Sequence, residues 1–137
     1  MKRVENLQVR KATYKDIPDI IKLYIQFHIE VEGYIPTEEE ALKTVVSCMI
    51  RGILYIAYDN DNLIGMVGGT LLEDVFTGEF IYVKKSYRKK TLLLMFNALK
   101  EIKKKAKYID VFCDDRQLKL WQKFGCTFKQ HYLRRKL

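Results

Sequence analysis

The chain has 137 residues, with 25 Lys and Arg against 17 Asp and Glu for a formal charge of +8, 48% apolar residues, 7 Gly, 2 Pro and 3 Cys. That size suits one globular domain spanning residues 1–137, and the composition excludes a disordered chain, a collagen-like or low-complexity chain and a disulfide scaffold. The charge is unevenly divided: residues 1–70 carry 8 basic and 10 acidic side chains, net −2, whereas residues 71–137 carry 17 and 7, net +10. Such asymmetry points to a polyanion at one end of the domain, whether nucleic acid, membrane surface or a phosphorylated cofactor.

Cys48, Cys113 and Cys126 form no CxxC pair and no His accompanies them, so no metal site is expected and reduced thiols in a cytosol-like compartment are. The amino-terminal MKRVENLQVRKATYKD lacks the apolar core of a signal peptide, and the longest apolar run, Ile53 to Tyr58, is too short to cross a bilayer. A cytoplasmic protein without membrane contact is the expectation.

In chain order, Leu7 to Ala12 alternates weakly and reads as a strand. Asp16 caps a first helix with Pro18 in its first turn, and Ile17, Ile20, Ile21, Tyr24 and His28 recur at helical spacing. Gly33 and Pro36 break the chain. Thr37 with Glu40 spells a capping box for a second helix whose stripe is Leu42, Val45, Val46, Met49 and Ile53. Leu54 to Tyr58 and Leu63 to Leu72 are strands joined by Asp59-Asn60-Asp61-Asn62, a hairpin; Glu73 to Gly78 turns the chain and Glu79 to Val83 is the next strand. Arg88 to Lys107 reads as a long helix with Leu92, Met95, Phe96, Leu99, Ile102 and Ala106 inside and Asn97, Lys100, Lys104 and Lys107 outside. Tyr108 to Cys113 is a strand, Asp114 or Asp115 starts a short helix carrying Leu118, Trp121 and Phe124 and stopped by Gly125, and Thr127 to Leu137 is extended. The order βααβββαβαβ, a meander followed by a strand–helix–strand crossover, predicts an α/β fold with a mixed, mostly antiparallel sheet and helices on both faces.

The junction from Ile81-Tyr82-Val83 through Lys84-Lys85-Ser86-Tyr87-Arg88-Lys89-Lys90 to Thr91-Leu92 is a strand, a basic loop and a helix start. Amide groups at a helix amino terminus, the helix dipole and five nearby cations make an anion site that suits a pyrophosphate, although a solvated basic turn is spelled the same way. His28 reads as a core imidazole and His131 as a lone strand residue.

Element order and three local spellings together resemble the GNAT superfamily of acetyl-CoA-dependent N-acetyltransferases. Val9 to Ile17 is similar to the family's opening strand and first-helix entry, Ile81 to Lys90 to its acetyl-CoA strand and phosphate loop, and Leu120-Trp121-Gln122-Lys123-Phe124-Gly125-Cys126 to the aromatic-x-x-x-Gly-Phe stretch near its end. The resemblance implies acetyl-CoA as acyl donor, an amine acceptor and no metal. It assigns the cofactor to Ile81, Tyr82, Val83, Arg88, Lys89, Lys90, Thr91, Leu92 and Leu93, with Asp114 holding the pantetheine arm and Trp121 standing where many relatives place an acidic Tyr. Arg88 keeps the loop's first basic position, whereas Thr91 and Leu93 occupy its two small-residue positions. Tyr87 and Tyr132 are the candidate replacement acids. Glu79 is the expected base, two and four residues before Ile81 and Val83 and on their face by strand alternation. A turn-end carboxylate in water, and for Asp114 a helix cap, are the plainer readings.

In that family the first two helices wall the acceptor site; here they carry Glu30, Glu32, Glu38, Glu39 and Glu40, which implies a cationic amine, a small molecule or a protein side chain. The short carboxyl tail implies an open site or one completed by a second subunit in a homodimer. The alternative is a catalytically degenerate GNAT-like module, its basic half turned to nucleic acid or a protein partner through Lys100, Lys104 and Lys107 with Arg134-Arg135-Lys136.

Overall fold

A computed structural model describes residues 7–31, 33–111, 119, 122 and 123. Its elements are β1 (Leu7–Lys11), α1 (Ile17–Val31), α2 (Glu38–Arg51), β2 (Gly52–Asp59), β3 (Asn62–Leu72), β4 (Val75–Val83), α3 (Thr91–Lys105) and β5 (Tyr108–Val111), with 3-10 turns at Tyr14–Asp16 and Lys85–Lys90 leading into α1 and α3. The expected final helix and strand, with Asp114, Trp121, Tyr132 and His131, lie outside the described residues.

The five strands follow one another across the sheet in chain order. The first three pairings are antiparallel and the last, β4 with β5, is parallel. A parallel neighbour requires a crossover, and α3 supplies it. β3 lies at the centre with Leu63 to Gly69 all buried, so its sequence reads as continuously apolar and small rather than alternating. On one face α1 and α2 pack Ile20, Leu23, Phe27, Ala41, Val45 and Cys48 against Leu54, Ile56, Met66, Phe80 and Tyr82. On the other, Leu94, Met95, Ala98 and Ile102 of α3 pack against Ile53, Ala57, Ile64, Phe76, Ile81 and Val83. A mixed, mostly antiparallel sheet with helices on both faces is therefore the observed architecture.

Several local details differ from the sequence expectation. Asp16 is no open helix cap: it is buried in the 3-10 turn before α1 and accepts two hydrogen bonds from Arg10 at 2.8 Å each, one from the Thr13 amide at 2.8 Å and one from the Thr13 hydroxyl at 3.1 Å. Tyr58 donates to it from β2 at 3.3 Å, and the Arg10 guanidinium lies 5.3 Å from the centre of the Tyr58 ring. These donors hold the Asp16 carboxyl well below the usual carboxylate range, the Arg10 bonds first among them. Thr37 caps α2 as expected, accepting from the Glu40 amide at 3.1 Å. The buried stripe of α2 is Ala41, Val45 and Cys48, while Leu42 is exposed and Ile53 belongs to β2. On α3 the buried residues are Leu94, Met95, Ala98 and Ile102; Leu92 and Phe96, expected inside, are exposed. β4 begins at Val75 because Glu73 takes a positive φ of 56° and closes the turn within two residues.

Candidate functional site

Gly68 pairs with Phe80 and Gly69 with Gly78, so Glu79 is an extra residue on β4, a bulge. The consequence is visible in the packing. Phe76 and Phe80, four residues apart, belong on one face of a regular strand, yet Phe76 packs under α3 and Phe80 under α1 and α2. Sheet parity reverses at the bulge, so Glu79 falls on the α1–α2 side with Phe80. This corrects the expectation that Glu79 shares the face of Ile81 and Val83. The Glu79 carboxylate is exposed, and its charge reaches Cys48 of α2. Desolvation first and that charge second push the Cys48 thiol up to about 12.

Glycines make the bulge possible. A Cβ on Gly69 would lie 2.2 Å from the Thr77 carbonyl oxygen, and one on Gly52, across on β2, would lie 1.8 Å from the Gly69 carbonyl oxygen. Backbones meet here closer than any side chain permits.

The described pairing with β5 runs from Val75↔Tyr108 to Gly78↔Val111 and ends there, while pairing with β3 continues to Gly65↔Val83 and on through the Lys84 amide to Ile64 O at 2.8 Å. Among the described residues, Glu79 to Val83 therefore have a strand on one side only. Ile81 and Val83 are buried toward α3, and Tyr82 toward α1.

The basic junction follows. Lys85–Lys90 forms a 3-10 turn running into α3, and the amides of Tyr87 and Thr91 bond back to Lys84 O and Arg88 O. The loop thus uses part of its own amide supply, which the expectation of free amides did not include. Lys89 is exposed and Lys90 half-buried; the Thr91 hydroxyl donates to Arg88 O at 2.8 Å. Leu92 and Leu93 are both exposed, and the residue that turns into the core is Leu94. Tyr87 donates its hydroxyl to Asp59 at the end of β2 at 2.7 Å, which anchors the turn to the β2–β3 hairpin and engages the group expected as a substitute acid.

Arg88 is also engaged. Its guanidinium pairs with Glu30 near the end of α1, and its Nε reaches Val83 O at 3.4 Å. Glu30 accepts a second bond, 2.5 Å long, from the Tyr82 hydroxyl of β4. Burial first, then this bond, push the Tyr82 phenol up to about 12; the Tyr82 bond and Arg88 hold Glu30 below its usual value. Sequence reasoning placed Glu30 with the acceptor and Arg88 with the cofactor and missed that they meet. Period alone does signal that Glu30 sits near Phe27, a neighbour of Tyr82, but nothing local links α1 to a residue 58 positions on. Of the remaining acidic residues of that wall, Glu39 pairs with Lys43 at 3.3 Å, Glu38 and Glu40 are exposed and Glu32 lies outside the described residues. His28 is buried among Tyr24, Phe27 and Tyr34, ring centres 4.5, 4.9 and 5.1 Å away, as a core imidazole should be. Among the described residues no helix is long and apolar enough to cross a membrane.

No protein-family model matches the chain, and no curated protein matches it. Solved structures do. The chain is similar to a probable acetyltransferase from methicillin-resistant Staphylococcus aureus at 27% identity, covering 90% of this chain and 92% of that one with a TM-score of 0.74. It is similar to a predicted acetyltransferase with acetyl-CoA from Clostridium acetobutylicum at 15% identity, covering 90% and 92% with a TM-score of 0.78. An aminoglycoside acetyltransferase from an uncultured soil metagenomic sample, in complex with trehalose, aligns at 16% identity over 93% of both chains with a TM-score of 0.72. The fold is that of the GNAT acetyltransferases.

Proposed function

We propose that this chain, carrying the GNAT fold, is an N-acetyltransferase that moves an acetyl group from acetyl-CoA to a cationic amine in the cytoplasm. The observation that supports it most is the junction at the end of β4, where the strand leads directly into a turn bearing Lys85, Arg88, Lys89 and Lys90 and on into α3. A pantetheine arm has amides to pair with such a strand, and its phosphates have cations to meet at the turn.

These residues fit CoA in charge and in strand geometry. Backbone groups of Ile81, Tyr82 and Val83 hold the arm and polarise the thioester carbonyl, and Arg88, Lys89, Lys90 and Thr91 hold the phosphates. Leu92 and Leu93, exposed on the first turn of α3, line the same junction, and Asp114 and Trp121 complete the set in this reading. Acetyl-CoA supplies the activated acyl group. The neutral acceptor nitrogen attacks the carbonyl carbon, the carbon–sulfur bond breaks, and the thiolate leaves with the electron pair; the proton that the nitrogen sheds as the amide forms passes to that thiolate or to water. Glu79, exposed on the α1–α2 side through its bulge, takes the proton from the incoming ammonium, directly or through water. A thiolate is stable enough to leave without Tyr87, which Asp59 engages.

Glu38 and Glu40, exposed at the start of α2, together with Glu30 favour an acceptor of positive charge; the aminoglycoside acetyltransferase among the similar structures supports that class. The test is a melting curve with acetyl-CoA or CoA, followed by acetylation assays with polyamines, aminoglycosides and lysine peptides. A ligand at 100 times its Kd stabilises the native state by about 2.7 kcal/mol, a rise of several degrees. No shift with either ligand, accompanied by salt-dependent retention of random RNA or DNA, replaces this reading with the non-catalytic one.

A further inference from the structure

Glu30 belongs to α1, yet the hydrogen-bond partners of its carboxylate belong to β4 and the basic turn. One carboxylate oxygen accepts from the Tyr82 hydroxyl of β4 and the other from the Arg88 guanidinium, and Lys85 acts on it through space. The carboxylate thus sits in the field of two of the cations that make the junction basic. Its side chain is 37% exposed and that of Arg88 49%, so a dissolved anion can reach the pair. Exposed pairs of this kind contribute at most about 1 kcal/mol. A diphosphate, with more charge and more acceptor oxygens, competes well for a guanidinium held by one carboxylate.

We propose that Glu30 is a built-in counter-anion of the basic junction, occupying Arg88 until the diphosphate of CoA displaces it, whereupon the freed carboxylate is available to the acceptor's positive charge. This rests on the acetyltransferase reading and deepens it: the acceptor meets an unpaired Glu30 once the acyl donor is in place. Coupling of this kind is reciprocal, so a cation bound at Glu30 also releases Arg88 for the diphosphate.

Calorimetric titration of CoA into the wild-type protein, Glu30→Gln, Arg88→Gln and the double variant tests it. The Gln amide still accepts the Tyr82 hydrogen bond and lies at a half-exposed position, so the fold is retained, as a melting curve checks. Glu30→Gln is expected to bind CoA about fivefold more tightly than wild type, the low end of common coupling strengths, and the gain disappears when Arg88 is also Gln. Wild-type CoA binding with no gain in folded Glu30→Gln overturns the exchange and leaves the acetyltransferase reading standing; failure of both proteins to bind CoA overturns both. A crystal structure of the wild-type protein with CoA gives an answer that needs no variant: Arg88 on the diphosphate supports the exchange, and Arg88 still on Glu30 refutes it.

Discussion

Replacing Asp16 by Asn is the sharpest test of how the first strand and first helix are joined. The buried carboxylate receives four hydrogen bonds from Arg10 and Thr13 and a fifth from Tyr58. Asn keeps the shape, but its NH2 points donors at donors on one side and its neutral oxygen leaves the Arg10 charge uncompensated. Breaking a buried pair costs about 3–5 kcal/mol; because the Arg10 side chain is 41% exposed and can turn to water, the lower end, about 3 kcal/mol, applies. For a chain of this length that is a fall of about 10 °C in Tm. The native carboxyl titrates below its unfolded value, so between the two values the unfolded chain binds the extra proton and stability rises with pH. The contribution is complete above about pH 5, begins to be lost as pH falls through the unfolded value near 3.9, and is gone only below the lowered native value. Urea unfolding of wild type and Asp16→Asn from pH 7 to 3 should show a gap that narrows with acid. A gap of under about 1 kcal/mol at pH 7, or one that is unchanged at pH 3, refutes the reasoning.

Glu79→Gln should lower kcat by about 10²-fold or more while CoA affinity stays near wild type, since the carboxylate moves a proton and holds no phosphate; an unchanged kcat removes Glu79 as base. Leu93→Ala takes a branched side chain off the exposed first turn of α3 at no cost in helix propensity and should tighten CoA severalfold by calorimetry as the diphosphate comes closer to the backbone; weaker binding would refute this and show that the Leu93 side chain itself contributes to holding CoA. Gly69→Ala places a Cβ 2.2 Å from a backbone oxygen and should destabilise by about 3 kcal/mol or more, seen as a lowered melting temperature; a wild-type melting curve would contradict the bulge geometry. Cys48, buried and with its thiol pushed up to about 12, should stay unlabelled by iodoacetamide at pH 8 until denaturant is added, as peptide mapping reports.

The strands and helices were legible because burial follows period: β2, β3 and α1 carry unbroken apolar patterns, and Gly33, Thr37 and Asn60 mark the breaks with their own backbone chemistry. Errors came where two patterns compete. On α3, Leu92, Leu93 and Leu94 are consecutive, so several stripes fit, and hydrophobicity alone does not choose the Leu94 and Ala98 stripe; packing against the sheet does, with Leu94 set over Gly65 of β3. The start of β4 was missed because Thr77 and Gly78 look like turn residues, although Gly78 packs closely against Val111, whose side chain would lie 3.0 Å from a Cβ there. The site was legible as a list of residues and not as an arrangement. Arg88 and Glu30 pair across 58 positions, Tyr87 and Asp59 across 28, and no local periodicity reports such contacts. The glycine pair Gly68-Gly69 was the available hint of a bulge, but it cannot say which residue of the facing strand is the extra one.

That extra residue makes the two halves of β4 out of phase. Val75 to Gly78 and Phe80 to Val83 are each correct for their faces because one position between them is counted twice. Deleting Glu79 would leave a regular strand in which Gly78 still faces Gly69 and Phe80 still faces Gly68, so Phe76 stays beneath α3 and Phe80 beneath α1 and α2, and only the bulge and its carboxylate are lost. Point substitutions at position 79 keep those faces as well, whereas a further residue inserted beside Glu79 would add a second unpaired position and put the two halves of β4 out of step with β3. What the extra residue adds is the exposed position of its own side chain and not the placement of its neighbours.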